Sequence, residues 1–443
     1  MPFRSFATEM LAQEARGLIT RLARVRPFAL VEPMLMAAAP LPDAQTAIDL
    51  YLMRGRKELL HQIEDFLRWL DSVGGQGATP EAAQRKFTFL KLRFNAVITQ
   101  FDTFGVAISQ RSENEFGVWL AGLDVVAADA LALEPFFVAP PILCYLDKGI
   151  GAAIRRARTR LPGGGASPVA LIRIPRERMI GSAIASSLVH EVGHQAAALL
   201  DLVPVLRNAI KNLEQPGSAW PYWGRWISEI IADFWSIARI GVGSTLGLMG
   251  VVSLPRPFVF RVNEDDPHPM PWIRVMLSAA IGAALYPHPQ WRRVAQLWES
   301  YYPLAALDPA TRRTVDLLRD HIPEFVNFLV NFRPPKLGGL TLTIAMQPAL
   351  RSPARLTALL ESWAKQPQLM YAAAPSLAFA VMGQARLNGK LTPEDESVLL
   401  AKLLTYWALK TTLDSSTYCA VDRARSRKRI SFQGSFKQFS QSF

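Results

Sequence analysis

The segment GSAIASSLVHEVGHQAAALLDL at residues 181–202 decides how this chain is read. Apolar residues dominate it and Pro204 closes it, so the pattern predicts a buried helix from Gly181 to Leu202. Within that helix His190 and His194 stand four positions apart, one turn along the same face, and both imidazoles can reach a single ion. Glu191 is rotated to stand beside the ion's open position, where a carboxylate can act as a general base. A His-Glu-x-x-His string arises by chance in roughly one chain per hundred of this length and composition, so it needs a further ligand to carry weight.

That ligand is offered by a second predicted helix, Arg225 to Ile240, in which Glu229 and Asp233 are again four apart. A hydrolytic zinc site takes three protein ligands and leaves a fourth place for water, and Glu229 completes the two histidines. Asp233, one turn further on, can accept the free ring N–H of a ligand histidine and fix its tautomer. Their neighbours Ile227, Ile230, Ile231, Phe234 and Trp235 argue against a solvated acidic face. Cys144 and Cys419 lie far apart in no metal-binding spacing, so one Zn2+ ion held by histidine and carboxylate is the expected cofactor.

Taken together, HExxH on one helix and ExxxD on the next resemble the gluzincin zinc metallopeptidases. A metzincin would need Gly at position 197 and His at 200, where this chain has Ala197 and Leu200. The nearest resemblance is to HtpX-like and CAAX-prenyl-protease-like peptidases, whose pattern continues with Ala-Asp, seen here as Ala232-Asp233, and later with His-Pro and an arginine, seen as His268-Pro269 and Arg274. The likeness covers about 170–290 and implies a zincin-like metallopeptidase core that hydrolyses peptide bonds. Those relatives usually carry membrane spans. Here no uncharged apolar stretch reaches the roughly 20 residues a span needs; the longest, Ile240–Leu254, is interrupted by four glycines and is expected as a buried segment and loop beside the active site.

Hydrolysis also needs a second donor for the oxyanion that develops on the attacked carbonyl. His268, fixed between Pro267, Pro269 and Pro271, is the expected donor, with Arg274 orienting it or binding substrate and Tyr222 as the runner-up. His61, His288 and His321 are expected to be surface or structural residues.

Around this centre the 443 residues, half of them apolar and 19% charged, suit two or three packed units. The fold class expected is mainly α with a small β-sheet: a helical N-terminal bundle over 1–133, a zincin-like catalytic domain over 134–335, a helical C-terminal region over 336–420 and a basic disordered tail over 421–443. Val169–Pro175 reads as a strand, either an edge able to pair an extended substrate or an internal strand. Trp220, Tyr222, Trp223 and Trp226 crowd one helix start, and packing against the zinc helices is the expected role. The glycine run in LPGGGASP (161–168) lacks a following Lys-Ser/Thr and is no phosphate loop.

No secretory signal is read at the N-terminus, which points to a soluble cytoplasmic protein. Six basic residues against Asp422 give the tail +5 of the chain's net +12, enough to contact acidic surfaces, while no specific nucleic-acid partner is expected. The function expected is a zinc-dependent metallopeptidase acting on protein or peptide substrates. The alternative is a helical scaffold or sensor on a zincin core with little or no proteolytic activity; the presence of Glu191, useless to a purely structural site, counts against it.

Overall fold

Four helices open the chain: α1 (Phe6–Ala23), α2 (Pro42–Asp71), the short α3 (Val73–Gln76) and α4 (Pro80–Ser109). Their starts follow from local chemistry. Ser5, Ser72 and Thr79 each accept a hydrogen bond from a first-turn N–H, while Pro42 and Pro80 take first helical positions, where a missing N–H leaves nothing unsatisfied. The buried residues of α4, from Ala83 through Phe87, Leu90, Phe94 and Val97, recur at three- and four-residue steps and close one apolar core with α1 and α2. The computed structural model describes residues 5–26, 33–149, 151–161, 164–176, 182–263 and 266–439, with the backbone alone for 182, 183 and 417–439.

Helix α5 (Asn114–Leu131) parts from this bundle, because its buried Leu120, Leu123, Val126 and Leu131 belong to a second core. That second core also holds Phe379 and Leu403 from the region expected to be a separate C-terminal unit. The apolar clusters therefore divide ahead of α5 rather than at 133, and the central and C-terminal helices share one interior.

Between the two cores lies a sheet of β1 (Ile142–Asp147), β2 (Ala153–Arg155) and β3 (Ala170–Pro175) in the order β1-β3-β2, with β1 parallel and β2 antiparallel to β3. The strand expected as a possible substrate edge, β3, is the central one, with both its edges already paired. Leu143 and Leu171 face the N-terminal core, Cys144 and Ile172 the other. Burial on both faces explains why β1 and β3 read as apolar runs rather than alternating ones.

The outer edge of β1 is filled by side chains. Gln110 donates to the Leu146 carbonyl and accepts from the Leu146 N–H, both at 2.7 Å. Asp124 accepts from the Cys144 N–H, and Arg111 donates to the Cys144 carbonyl, again at 2.7 Å. Arg111 and Asp124 pair at 3.0 Å with both side chains at 0% exposure. Among the described residues, no strand pairs with the outer edge of β2.

The remaining chain is helical: α6 (Ser182–Leu199), α7 (Leu202–Lys211), α8 (Trp220–Ile240), α9 (Val242–Val252), α10 (Arg256–Val259), α11 (Pro271–Leu285), α12 (Gln290–Tyr301), α13 (Pro309–Asn331), α14 (Leu342–Met346), α15 (Pro353–Lys365), α16 (Gln368–Ala372), α17 (Pro375–Leu387) and α18 (Pro393–Phe439). Two expectations change here. The glycine-broken stretch after Ile240 is a helix, α9, not a loop. Gly241, at φ +58°, makes the turn out of α8, and a Cβ on Gly383 of α17 would lie only 2.6 Å from the Gly243 Cα, so glycine permits a close helix contact.

The stretch expected as a disordered tail from 421 continues α18 as far as Phe439; no proline follows Pro393 to stop the helix. No helix among the described residues is long and apolar enough to cross a membrane. The tryptophans of α8 pack it against α13: Trp223 stacks on Phe325 at 4.7 Å and its indole N–H donates to His321 Nδ1 at 3.0 Å.

Candidate metal centre

Gly193, inside the HEVGH motif, lets the two central helices meet backbone to backbone. A Cβ there would lie 2.8 Å from the Ala232 Cα and 2.9 Å from its carbonyl oxygen, closer than packed atoms come. This contact between α6 and α8 sets one turn of histidines against one turn of acids.

The result is a convergence of donor atoms. His190 Nε2 lies 3.2 Å from Glu229 Oε2, and His194 Nε2 lies 3.4 Å from Glu229 Oε1. One ligand atom from each of the three residues falls within 4.8 Å of the others, so they could hold a metal ion. The opposite ring nitrogen of His190, Nδ1, is 2.8 Å from Asp233 Oδ1. Because an ionised carboxylate only accepts, Nδ1 carries the proton and Nε2 of the neutral ring presents a lone pair to Glu229. Two electron-rich atoms at that distance in a nearly closed site require a cation between them.

In the metal-free protein a proton can fill that need. Burial opposes charge on His190, but the hydrogen bonds and negative charges of Asp233 and Glu229 outweigh it and push the imidazole up to about 9. Burial would raise the Glu229 carboxyl, yet its bonds to His190 and His194 hold it well below the usual carboxylate range. A metal ion meets the same need with the histidines neutral, as metal ligation requires. Two imidazoles and one carboxylate are a donor set that could hold a metal ion.

Arg274 from α11 joins the same group of side chains. It is buried, donates through Nε to Asp233 Oδ2 at 2.7 Å and through Nη2 to Asp233 Oδ1 at 2.9 Å, and lies 3.7 Å from Glu229 Oε2. Burial would raise the Asp233 carboxyl, but Arg274 first and His190 next bring it to about 2. Arg274 was expected to orient His268 or bind substrate; its hydrogen bonds here go to Asp233, the acid bonded to His190.

His268 itself sits at the site's rim, half exposed, with Nε2 3.3 Å from Glu229 Oε2. Its ring is fixed by Asp266, whose Oδ1 accepts from the His268 backbone N–H at 2.9 Å and faces Nδ1 at 2.6 Å. Asp266 escaped sequence reading, although an acid two residues before a histidine is the local signal for such a self-closed turn. Glu191 is buried on α6, and its charge helps keep Arg274 protonated.

The other expected residues make other contacts. Tyr222 is half buried against Trp226, with ring centroids 5.5 Å apart. His61 is exposed and paired with Asp65, and His288 accepts from the Gln290 N–H at 3.2 Å. Gln195, directly after His194, was also missed: its side chain is buried and accepts from the Ala157 N–H at 2.8 Å, tying the segment after β2 to the metal helix. No protein-family model matches the chain, and no curated protein or solved structure matches it either.

Proposed function

We propose that this protein is a zinc-dependent peptidase in which His190, His194 and Glu229 hold the metal and Glu191 is the general base. The observation that carries this reading is the convergence of His190 Nε2, His194 Nε2 and the Glu229 carboxylate within 4.8 Å, backed by the Asp233 and Arg274 contacts that fix the His190 ring. Zinc held there supplies Lewis-acid chemistry and lowers the pKa of a water from about 15.7 to near 7.

The chain's own residues do the rest. Asp233 keeps the proton on His190 Nδ1, so that Nε2 faces the metal. Glu191 takes the proton from the attacking water and passes it to the leaving amine. His268, with Nδ1–H held by Asp266, donates from Nε2 to the developing oxyanion when its ring is the imidazolium, since the neutral ring with its proton on Nδ1 offers only a lone pair there. The outer edge of β2, which pairs with no strand among the described residues and is followed by the Ala157 bond to Gln195 of α6, would offer main-chain N–H and C=O groups to an extended peptide.

The test is elemental analysis of the purified chain together with cleavage of casein by the native protein and by Glu191→Gln. About one zinc per chain, with cleavage that Glu191→Gln abolishes, is expected. Zinc without cleavage of any unstructured substrate would sink the peptidase reading and leave the scaffold or sensor.

A further inference from the structure

Between Asp147 and Glu177 the chain carries seven basic residues and no acidic one. Two of them are paired: Arg173 faces Asp147 at 4.0 Å and Arg176 faces Glu113 at 3.0 Å. Arg155, Arg156, Arg158 and Arg160 are exposed and have no ion-pair partner among the described residues. Arg155 is the last residue of β2 itself. Arg158 and Arg160 lie on the hairpin that follows, held by the bond from the Arg158 N–H to the Ser167 carbonyl at 2.8 Å and by a bridge between Arg160 and Ala166. Arg158 sits there at φ +65°, a left-handed backbone that a long side chain seldom occupies.

This basic strip is fixed relative to the metal helix, because Ala157, in its midst, is bonded to Gln195, the neighbour of His194. Its first residue, Arg155, ends β2, whose outer edge pairs with no strand among the described residues, and the backbone that follows is held by its own hairpin bonds and by Gln195. Main-chain pairing along an edge gives affinity without choice of sequence, and side chains beside it supply the choice. Single exposed ion pairs contribute little, but several like charges along one extended ligand act together.

We infer that Arg155, Arg156, Arg158 and Arg160 select acidic peptides for the site, so that the preferred substrate is an extended segment rich in aspartate or glutamate. This rests on the peptidase reading for the cleavage it directs, but not for the binding. A nucleic acid would satisfy the charge yet has no use for an open strand edge. Arginines on an edge also discourage strand-to-strand aggregation, and the experiment separates that role.

The probes are short unstructured peptides matched except that one is glutamate-rich, one glutamine-rich and one lysine-rich. Binding is read by fluorescence anisotropy on the zinc-loaded Glu191→Gln chain, and cleavage on the native chain. The glutamate peptide should bind about tenfold more tightly than its glutamine twin at low salt, and the gap should close near ~0.5 M salt. Arg155→Ala with Arg156→Ala should narrow that gap about fivefold or more, chiefly through KM, and Arg155→Glu with Arg156→Glu should turn the preference toward the lysine peptide. Zinc content and circular dichroism confirm that the variants fold.

Cleavage without acidic preference would overturn the inference and spare the peptidase reading; acidic preference in binding without any cleavage would do the reverse. Variants that self-associate while keeping the native preference would reduce the strip to an edge guard and overturn it. Displacement of the glutamate peptide by far lower concentrations of oligothymidylate would overturn it in favour of nucleic acid.

Discussion

Asp124 and Glu229 are both buried carboxylates on helices of the same core, and they are neutralised in different ways. Asp124 comes with its own cation: Arg111 is 3.0 Å away, and the two share the Cys144 peptide as a further partner. Glu229 faces two imidazole nitrogens at 3.2 and 3.4 Å that, in neutral rings, offer lone pairs rather than protons. The first acid has a guanidinium in direct contact. The second has one only at 3.7 Å, and its nearest nitrogens could share a proton or a metal ion with it. The burial that makes the first a structural element makes the second a receptor for positive charge.

The sharpest way to break this contrast is to remove each side of it. His190→Ala or His194→Ala should abolish zinc retention through dialysis, since each takes one of three ligands, and full occupancy by elemental analysis in both would end the metal assignment. Arg111→Ala should leave zinc content intact and lower unfolding free energy by about 3–5 kcal/mol, because it strands a buried acid. A denaturation midpoint unchanged from the native chain would show that Asp124 is not held as an ion.

Smaller effects sharpen the same comparison. Glu191→Gln should keep the metal and lower hydrolysis by about a hundredfold or more; undiminished turnover would remove Glu191 from the chemistry. Asp233→Asn should cost roughly ten- to hundredfold in zinc affinity, measured by competition with a chelating dye. Last, with the metal-free His190 pushed up to about 9, zinc uptake at neutral pH should displace about one proton from it, and affinity should fall about tenfold per unit as pH drops below 9. Calorimetry in buffers of different ionisation heat reads that proton, and a count of zero would mean that His190 starts neutral.

That His190, His194 and Glu229 could come together was legible because helix periodicity is local. Two histidines in HEVGH and two acids in SEIIAD need only a 3.6-residue repeat to share a face. What brings the two turns together was not legible: Gly193 looks like a filler between motif residues, and only the packing of Ala232 against it shows why a side chain would not fit. Strand order was hidden for a related reason. β2 spans three residues and β1 follows a proline cluster, so neither carries enough pattern to reveal that β3 lies between them.

Gln110, Arg111 and Asp124 illustrate the limit from the other side. In sequence Gln110 and Arg111 look like a solvated turn before α5, and Asp124 is a single acid inside that helix with no partner in view. Their bonds to β1 span 20 to 36 positions, and no local window contains that information. The arginines from 155 to 160 were visible as charge, but their value as a strip depends on knowing which strand edge is open.

The side chains flanking β1 also decide how its amides meet water. The N–H groups of Cys144 and Leu146 point away from the sheet, where those of an outer strand would normally exchange with solvent, yet they are locked by Asp124 and Gln110. In hydrogen exchange those two protons should wait for α5 and the turn before it to come away, not for fraying of the sheet. An outermost strand will then report as slowly as a central one, and opening of the sheet will begin at β2, on the side where the arginines stand.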